Sequence, residues 1–368
     1  MTAAGAAVLV ALVGTAAVLA VQTRANANLK AANTDLAVAN AKVTRANTEL
    51  GASNQRERAR FELAQEAIRM FHTGVSEDLL LKQKEFGALR TKLLRGAQEF
   101  YHKLEGLLGA RADRDSRLAL GRAYYEVGEL TKQLDSMKDA LAMHQRALAL
   151  FKDLASEAPA DAEIRREIER NYSAIALLLS SLGQKAEALT ATGRARAIAQ
   201  ALAEAAPADI GRRSELARVE RLHGGFLVDD SRVGEGLEAL ERARATQEDL
   251  VRTSPSDVRF RLELAQTCDD LAMQLDASGR SDEALAVYGR ARDLVEGLFR
   301  ANPTNARIAH EVPRTLGNMA IAMERAGRQN EALAAHDRAR EVLGMIGDAN
   351  PSSCPLCEFS VPEIGEIR

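Results

Sequence analysis

The sequence predicts an all-α protein whose body is a solenoid of five helix pairs, and three observations carry that prediction. The 368 residues are rich in Ala, Leu, Glu and Arg, which are strong helix formers, while only 4% are aromatic and Trp is absent. Five of the 8 prolines, Pro159, Pro207, Pro255, Pro303 and Pro351, recur every 48 residues. The same interval carries Asp113, Asp161, Asp209, Asp257 and Asn305, residue types that start helices by accepting from free backbone N–H groups. A formal net charge of -3 gives no global electrostatic reason to expect nucleic acid, which needs a clustered basic surface. Three Cys cannot build a disulfide framework.

The amino terminus is apolar. No charged residue lies between Thr2 and Thr23, and Ala3 to Val21 is an almost continuous apolar run. At about 1.5 Å per residue this run just crosses a hydrocarbon core of about 30 Å. Residues 1–23 are therefore expected to form a transmembrane helix and to hold the protein in the cell membrane as a single-pass chain. The rival, a cleaved signal peptide, lacks its basic leading region, and the one small-x-small motif, Ala25-Asn26-Ala27, follows Arg24. Arg24, Lys30, Lys42 and Arg45 all follow the run, which by the positive-inside rule alone places the body in the cytoplasm. Met1 stands almost directly before the span, as in a truncated product whose missing residues would change that assignment.

Residues 24–60 are expected to form a coiled-coil stalk. Leu29, Leu36, Val43 and Leu50 recur every seven residues, as do Asn26, Asn33, Asn40, Asn47 and Asn54, which implies a left-handed supercoil and a homodimer. The second seam column is either the Asn series or Ala32, Ala39, Ala46 and Ser53, and neither buries much area. A single solvated helix fits this stretch equally well. Over residues 61–110 the apolar phase shifts by four, through Phe61, Ala64, Ile68, Phe71 and Val75. Gly74 and Ser76 then read as the stop and start between the two helices of a pair.

The repeats occupy residues 111–350, with unit boundaries near 159, 207, 255 and 303, and a tail follows over 351–368. Leu120, Ile168, Leu216, Leu264 and Val312 form one apolar column. Leu141, Leu189, Leu237, Leu285 and Leu333 form another, each preceded by Ala or, at Gly236, Gly. Ala147, Ala195, Ala243, Ala291 and Ala339 form a third, each preceded by Arg. Each unit reads as two helices, broken near Gly183, Gly279 and Gly327, whose small residues allow close approach and whose Leu fills the space between pairs. The third unit has Ser231 at the break, and the fifth carries Pro313 inside its first helix, where a kink is expected.

Gly183-Gln184-Lys185-Ala186-Glu187-Ala188-Leu189 through Ala195, and Gly279-Arg280-Ser281-Asp282-Glu283-Ala284-Leu285 through Ala291, resemble the second half of a tetratricopeptide repeat. That family's unit is about 34 residues. The longer unit here fits two extra turns in each helix, which keep the buried face nearly in phase. The resemblance implies a right-handed solenoid whose first helices line a concave surface that takes a protein or peptide partner.

Arg122, Arg170, Arg218 and Arg314 share one first-helix position, completed by Gln266, and are the candidate groove residues. The alternative for this column is local: Glu167, Glu215 and Glu311 lie three residues earlier and pair along the same helix. The second-helix column Arg146, Arg194, Arg242, Arg290 and Arg338 reads as outer solvated surface.

No catalytic, cofactor or metal site is expected. There is no Gly-rich phosphate loop followed by Lys, and His310-Glu311 lacks the second His of a metalloprotease. His336-Asp337-Arg338 has the wrong order for a kinase catalytic loop. Cys268 shares a column with Tyr124, Tyr172 and Leu316 and so belongs to the core. Cys354-Pro355-Leu356-Cys357 supplies two thiols where structural zinc takes four ligands, which leaves a tail disulfide, an intermolecular clip or idle thiols.

Segments such as Phe71-His72-Thr73-Gly74-Val75-Ser76-Glu77-Asp78-Leu79-Leu80-Leu81 and Gly121-Arg122-Ala123-Tyr124-Tyr125-Glu126-Val127-Gly128 make the chain similar to the part that follows the kinase domain in large planctomycete membrane serine/threonine kinases. That resemblance implies a kinase's sensory or scaffolding half without its catalytic residues. It also implies repeats across the membrane from the kinase, opposite to the positive-inside assignment. The expected function is a membrane-anchored scaffold for protein–protein interaction, with a regulatory dimerisation module of a kinase as the alternative and an enzyme as a remote one.

Overall fold

The computed structural model describes residues 21–52, 113–132 and 136–349, together with residues 19, 96, 101 and 102 singly. Two units are described separately: residues up to Met70, and Phe71 onward. In the first, α1 is a helix over residues 21–52. In the second, ten helices follow as five pairs. The first pair is α2 (Arg114–Lys132) with α3 (Met137–Glu157), and the second is α4 (Ala162–Ser181) with α5 (Lys185–Ala205). The third is α6 (Ile210–Asp229) with α7 (Val233–Thr253), the fourth α8 (Val258–Ala277) with α9 (Ser281–Ala301), and the fifth α10 (Ala306–Arg325) with α11 (Gln329–Ala349).

Three linked expectations are corrected here. A transmembrane helix over residues 1–23, and with it a single-pass membrane location and a membrane partner, was inferred from the apolar run. Among the described residues no helix is long and apolar enough to cross a membrane. Helix α1, which comes after the run in sequence, carries Arg24, Lys30, Asp35, Lys42, Arg45 and Glu49 along its length, charges that a hydrocarbon core excludes. Residues 1–18 lie outside the described residues, as do most of the expected pair over 61–110 and the Cys354–Cys357 tail.

Each pair is punctuated by the same local chemistry. Asp161 accepts from the N–H groups of Glu163 and Ile164, Asp209 from Arg212, Asp257 from Arg259 and Phe260, and Asn305 from Ile308. These bonds satisfy donors that a helix start leaves free. At the other end, Ala158, Ala206, Ser254 and Asn302 leave the helix at φ -137, -141, -137 and -142, because the proline that follows each one disfavours the α region.

Between the helices of a pair the chain turns through a left-handed residue: Gly183 (φ 78), Ser231 (φ 65), Gly279 (φ 78) and Gly327 (φ 75). In each turn two N–H groups reach back to the helix just ended, as with Gly183 to Ser180 O (2.9 Å) and Gln184 to Leu179 O (2.8 Å). The third pair thus forces a serine into a conformation that a Cβ penalises. Replacing Ser231 with glycine is expected to stabilise the array by about 1 kcal/mol, since the left-handed region costs an L-residue about 1–2 kcal/mol and glycine's extra entropy offsets part of it. An unchanged or lower Tm for Ser231→Gly would refute this.

The core lies within and between the pairs. Ala147, Ala195, Ala243 and Ala291 are fully buried and Ala339 nearly so, as are Leu120, Leu264 and Val312 of the first helices. Gly236 stands in an otherwise Ala position because a Cβ there would lie 2.5 Å from Val228 Cγ2 and 2.8 Å from the Gly224 carbonyl. The third pair therefore closes more tightly than an alanine permits. Helix α10 runs from Ala306 to Arg325 through Pro313. Each second helix packs on the next first helix, and first helices of successive pairs also meet (α2 with α4, α6 with α8, α8 with α10). They form a continuous inner layer.

Candidate functional site

The inner layer presents the Arg column. Arg122, Arg170, Arg218, Gln266 and Arg314 lie on α2, α4, α6, α8 and α10, one per helix at the same level. Their side chains do not stand free. Arg122 donates to Glu167 (2.7 Å) and Glu163 (2.8 Å), Arg218 to Glu169 (2.9 Å), Gln266 to Glu311 (2.5 Å) and Arg314 to Asp269 (2.5 Å). The local pairing expected within one helix is present at Arg170–Glu167 (3.3 Å) and Arg314–Glu311 (2.7 Å). Glu215 instead pairs with Arg166 of the preceding unit at 2.5 Å.

Most of these partners lie in a neighbouring unit, 45 or 49 residues away. Arg221–Asp270 and Arg325–Asp276, both 2.6 Å, and Ser214–Glu263 at 2.9 Å extend the same lattice. It ties successive first helices together, and its net contribution is modest where the pairs face water.

Two acids lie beneath it. Glu169 and Asp269 are each 1% exposed, and burial pushes both carboxyls above the ordinary range despite Arg218 and Ser173 on one and Arg314 and Asn318 on the other. Glu169 Oε2 and Asp269 Oδ1 have no hydrogen-bond partner. Glu129 behaves oppositely: burial, the largest single influence, pushes it up, but His144 and Lys132 outweigh that and hold it at about 2.

Near the start of the layer a cavity of about 340 Å³ opens among Tyr125, Arg166, Arg170, Ser173, Leu177 and Arg218. The Arg170 guanidinium lies over the Tyr125 ring at 4.5 Å, and that ring meets His144 edge-on at 4.9 Å. Two helical turns beyond the Arg column, on the same helix faces, runs a second row: Glu129, Leu177, Gly225, Met273 and Ile321. Three of its members are large, apolar and similarly exposed: Leu177 43%, Met273 45% and Ile321 44%. Sequence reasoning missed this row because no single helix shows it, and only the 48-residue interval aligns it.

The second-helix arginines are not simply solvated. Arg146 lies over the Tyr124 ring (5.9 Å), Arg194 over Tyr172 (5.6 Å), and Arg242 binds Glu220 (3.1 Å), so each covers the same first-helix column. Cys268 of that column is fully buried, and burial pushes its thiol up to about 12. Among the described residues no cluster of His, Cys, Asp or Glu is arranged to hold a metal. The inner face offers cationic forks, buried carboxylates and an apolar row.

No protein-family model matches the chain, and no curated protein matches it. Solved structures do. The BtubC (BKLC) structure from P. vanneervenii aligns with a TM-score of 0.53 at 15% identity, covering 70% of this chain and 92% of that one. A Podosopora anserina protein with nearly identical TPR-like repeats aligns at 20% identity and TM-score 0.41, covering 63% and 98%. A thermophilic TPR protein of Thermus thermophilus aligns at 19% identity and TM-score 0.32, covering 63% and 98%. The likeness is one of fold, an array of stacked helix pairs, and is carried by the BtubC alignment.

Proposed function

We propose that the array is a protein–protein interaction scaffold and that a partner segment lies across its first-helix face. The observation that supports this most directly is the row Leu177, Met273 and Ile321, left exposed at one position in three units. Solvent-facing apolar residues repeated in register mark contact surfaces more than isolated ones do. Beside them, Arg122, Arg170, Arg218 and Arg314, with Gln266 between, offer donors to acidic side chains of the partner, competing with the acids they now hold. A photoreactive residue at Leu177 or Met273 is expected to trap one partner that the same residue at Glu238, on a second helix, does not. Equal trapping at both faces would sink the reading.

The finer assignment, to the non-catalytic part of a serine/threonine kinase system, rests on the resemblance of residues 71–81 and 121–128. A second reading, regulation through a homodimer, is favoured by one observation. Leu29, Leu36, Val43 and Leu50 of α1 are all exposed, at 62%, 59%, 58% and 61%. Packing against the same column of a second copy would bury those side chains. Full-length chain is expected to sediment as a concentration-dependent dimer and, with all four changed to asparagine, as a monomer. Identical sedimentation of the two removes the dimer.

A further inference from the structure

Away from the first-helix face, a cavity of about 530 Å³ opens between α3, α4 and α5. Its apolar floor includes Leu148, Ile175 and Leu179, and Tyr172 lies at its polar side between two cations. Lys152 Nζ is 5.2 Å from the Tyr172 ring centroid, and the Arg194 guanidinium is 5.6 Å from it and donates to the phenol oxygen at 3.3 Å. Burial, the largest influence on that phenol, pushes its pKa up, yet Lys152 and Arg194 outweigh it and bring the pKa below the ordinary value. The two cations thus favour an anion at this spot.

The repeat shows what is missing. Arg338, in the last unit, occupies the position of Arg194 and donates to Glu296, 42 residues earlier, at 3.3 Å. The residue 42 before Arg194 is Lys152, so the acid of one unit is replaced by a base in the other. In the third unit the same Arg position, Arg242, finds its carboxylate in Glu220, which stands in the column of Tyr172. Around Tyr172 both acidic positions are vacated, and Lys152 and Arg194 have no carboxylate within ion-pair distance among the described residues. Glu187, at the rim, leaves the mouth positive on balance.

We propose that this groove docks an acidic segment of a partner protein, with an Asp or Glu carboxylate seated between Lys152 and Arg194 and a neighbouring aliphatic side chain on Leu148, Ile175 and Leu179. Charge complementarity selects the carboxylate, and the apolar floor selects the aliphatic neighbour. The site is separate from the first-helix face and stands or falls without it.

The test uses the full chain and a fluorescent peptide of alternating Glu and photoreactive Leu. Adducts are expected on α3, α4 and α5 at the groove, and affinity is expected to fall about tenfold or more when the peptide's Glu become Gln. Lys152→Glu, which restores the pairing seen at Arg338, is expected to abolish those adducts while Tm holds or rises. Lys152→Gln, which installs the residue found at the same position as Gln200, is expected to weaken them. Adducts on the first-helix face are expected to survive both changes. Groove adducts that persist in Lys152→Glu, equal binding of the Gln peptide, or labelling confined to the first-helix face would each overturn the proposal.

Discussion

Replacing Arg314 with alanine is expected to destabilise the array by about 2–3 kcal/mol, because it strands Asp269 in the interior. A fully buried pair broken on one side costs about 3–5 kcal/mol. Arg314 is 40% exposed and Asn318 also donates to Asp269, both of which lower the figure. The loss has a pH signature. Asp269 is already raised by burial, and without Arg314 it rises further above its unfolded value of about 3.9. Between those two values the folded state holds a proton that the unfolded state releases, so stability falls as pH rises through the window. The deficit of Arg314→Ala is therefore largest near neutrality and shrinks as pH falls toward about 4. Asp269→Asn added to Arg314→Ala should recover most of it. Denaturant unfolding of the four-member cycle at two pH values checks this, and a pH-independent deficit untouched by Asp269→Asn would refute it.

Phe151→Ala is expected to be costlier still, at about 3–5 kcal/mol, because the ring is fully buried in the first pair. That ring lies so close to α2 that a Cβ on Gly121 would come within 2.6 Å of it. Gly121→Ala alone should therefore cost about 1–3 kcal/mol by overpacking. With Phe151 already truncated, the clash is gone and the helix propensity of alanine, worth about 1 kcal/mol over glycine, makes the same change stabilising. The expected observation is a reversal of sign for Gly121→Ala between the two backgrounds. Because each pair contacts mainly its neighbours, hydrogen exchange should rise first in α2 and α3 and only later in the far pairs. Uniform loss of protection over 136–349 would contradict a nearest-neighbour array.

Much of this architecture is legible in the sequence. Asp161, Asp209, Asp257 and Asn305 announce helix starts because capping is a local bond, and the prolines announce ends because their effect falls on the residue before them. Ser231 was visible as a departure, but that it takes the left-handed conformation anyway depends on the pair closing around it. The membrane inference failed for a similar reason. Apolar length was visible in residues 1–23, yet among the described residues the helix that follows carries charges along its length and none is apolar enough to cross a membrane. The Arg column was visible as a column, and so were two of its same-helix partners, Glu167 for Arg170 and Glu311 for Arg314, but the partners in neighbouring units were not. Periodicity aligns equivalent positions, whereas Glu169 with Arg218 and Asp269 with Arg314 join positions that are not equivalent.

Those offset bonds have a consequence for how such a chain can be edited. A perfectly repetitive solenoid tolerates loss or gain of any unit, since every interface is the same. Here Glu169 requires Arg218 in the next unit, and excision of residues 209–256 would bring Gln266 to that place, leaving a buried carboxylate opposite an uncharged amide. Lys152 likewise fits beside Tyr172 and Arg194 and has no counterpart in later units. The order of the units is thus written in their charges, and recombination between them would be punished at the junction even though the backbone would accept it.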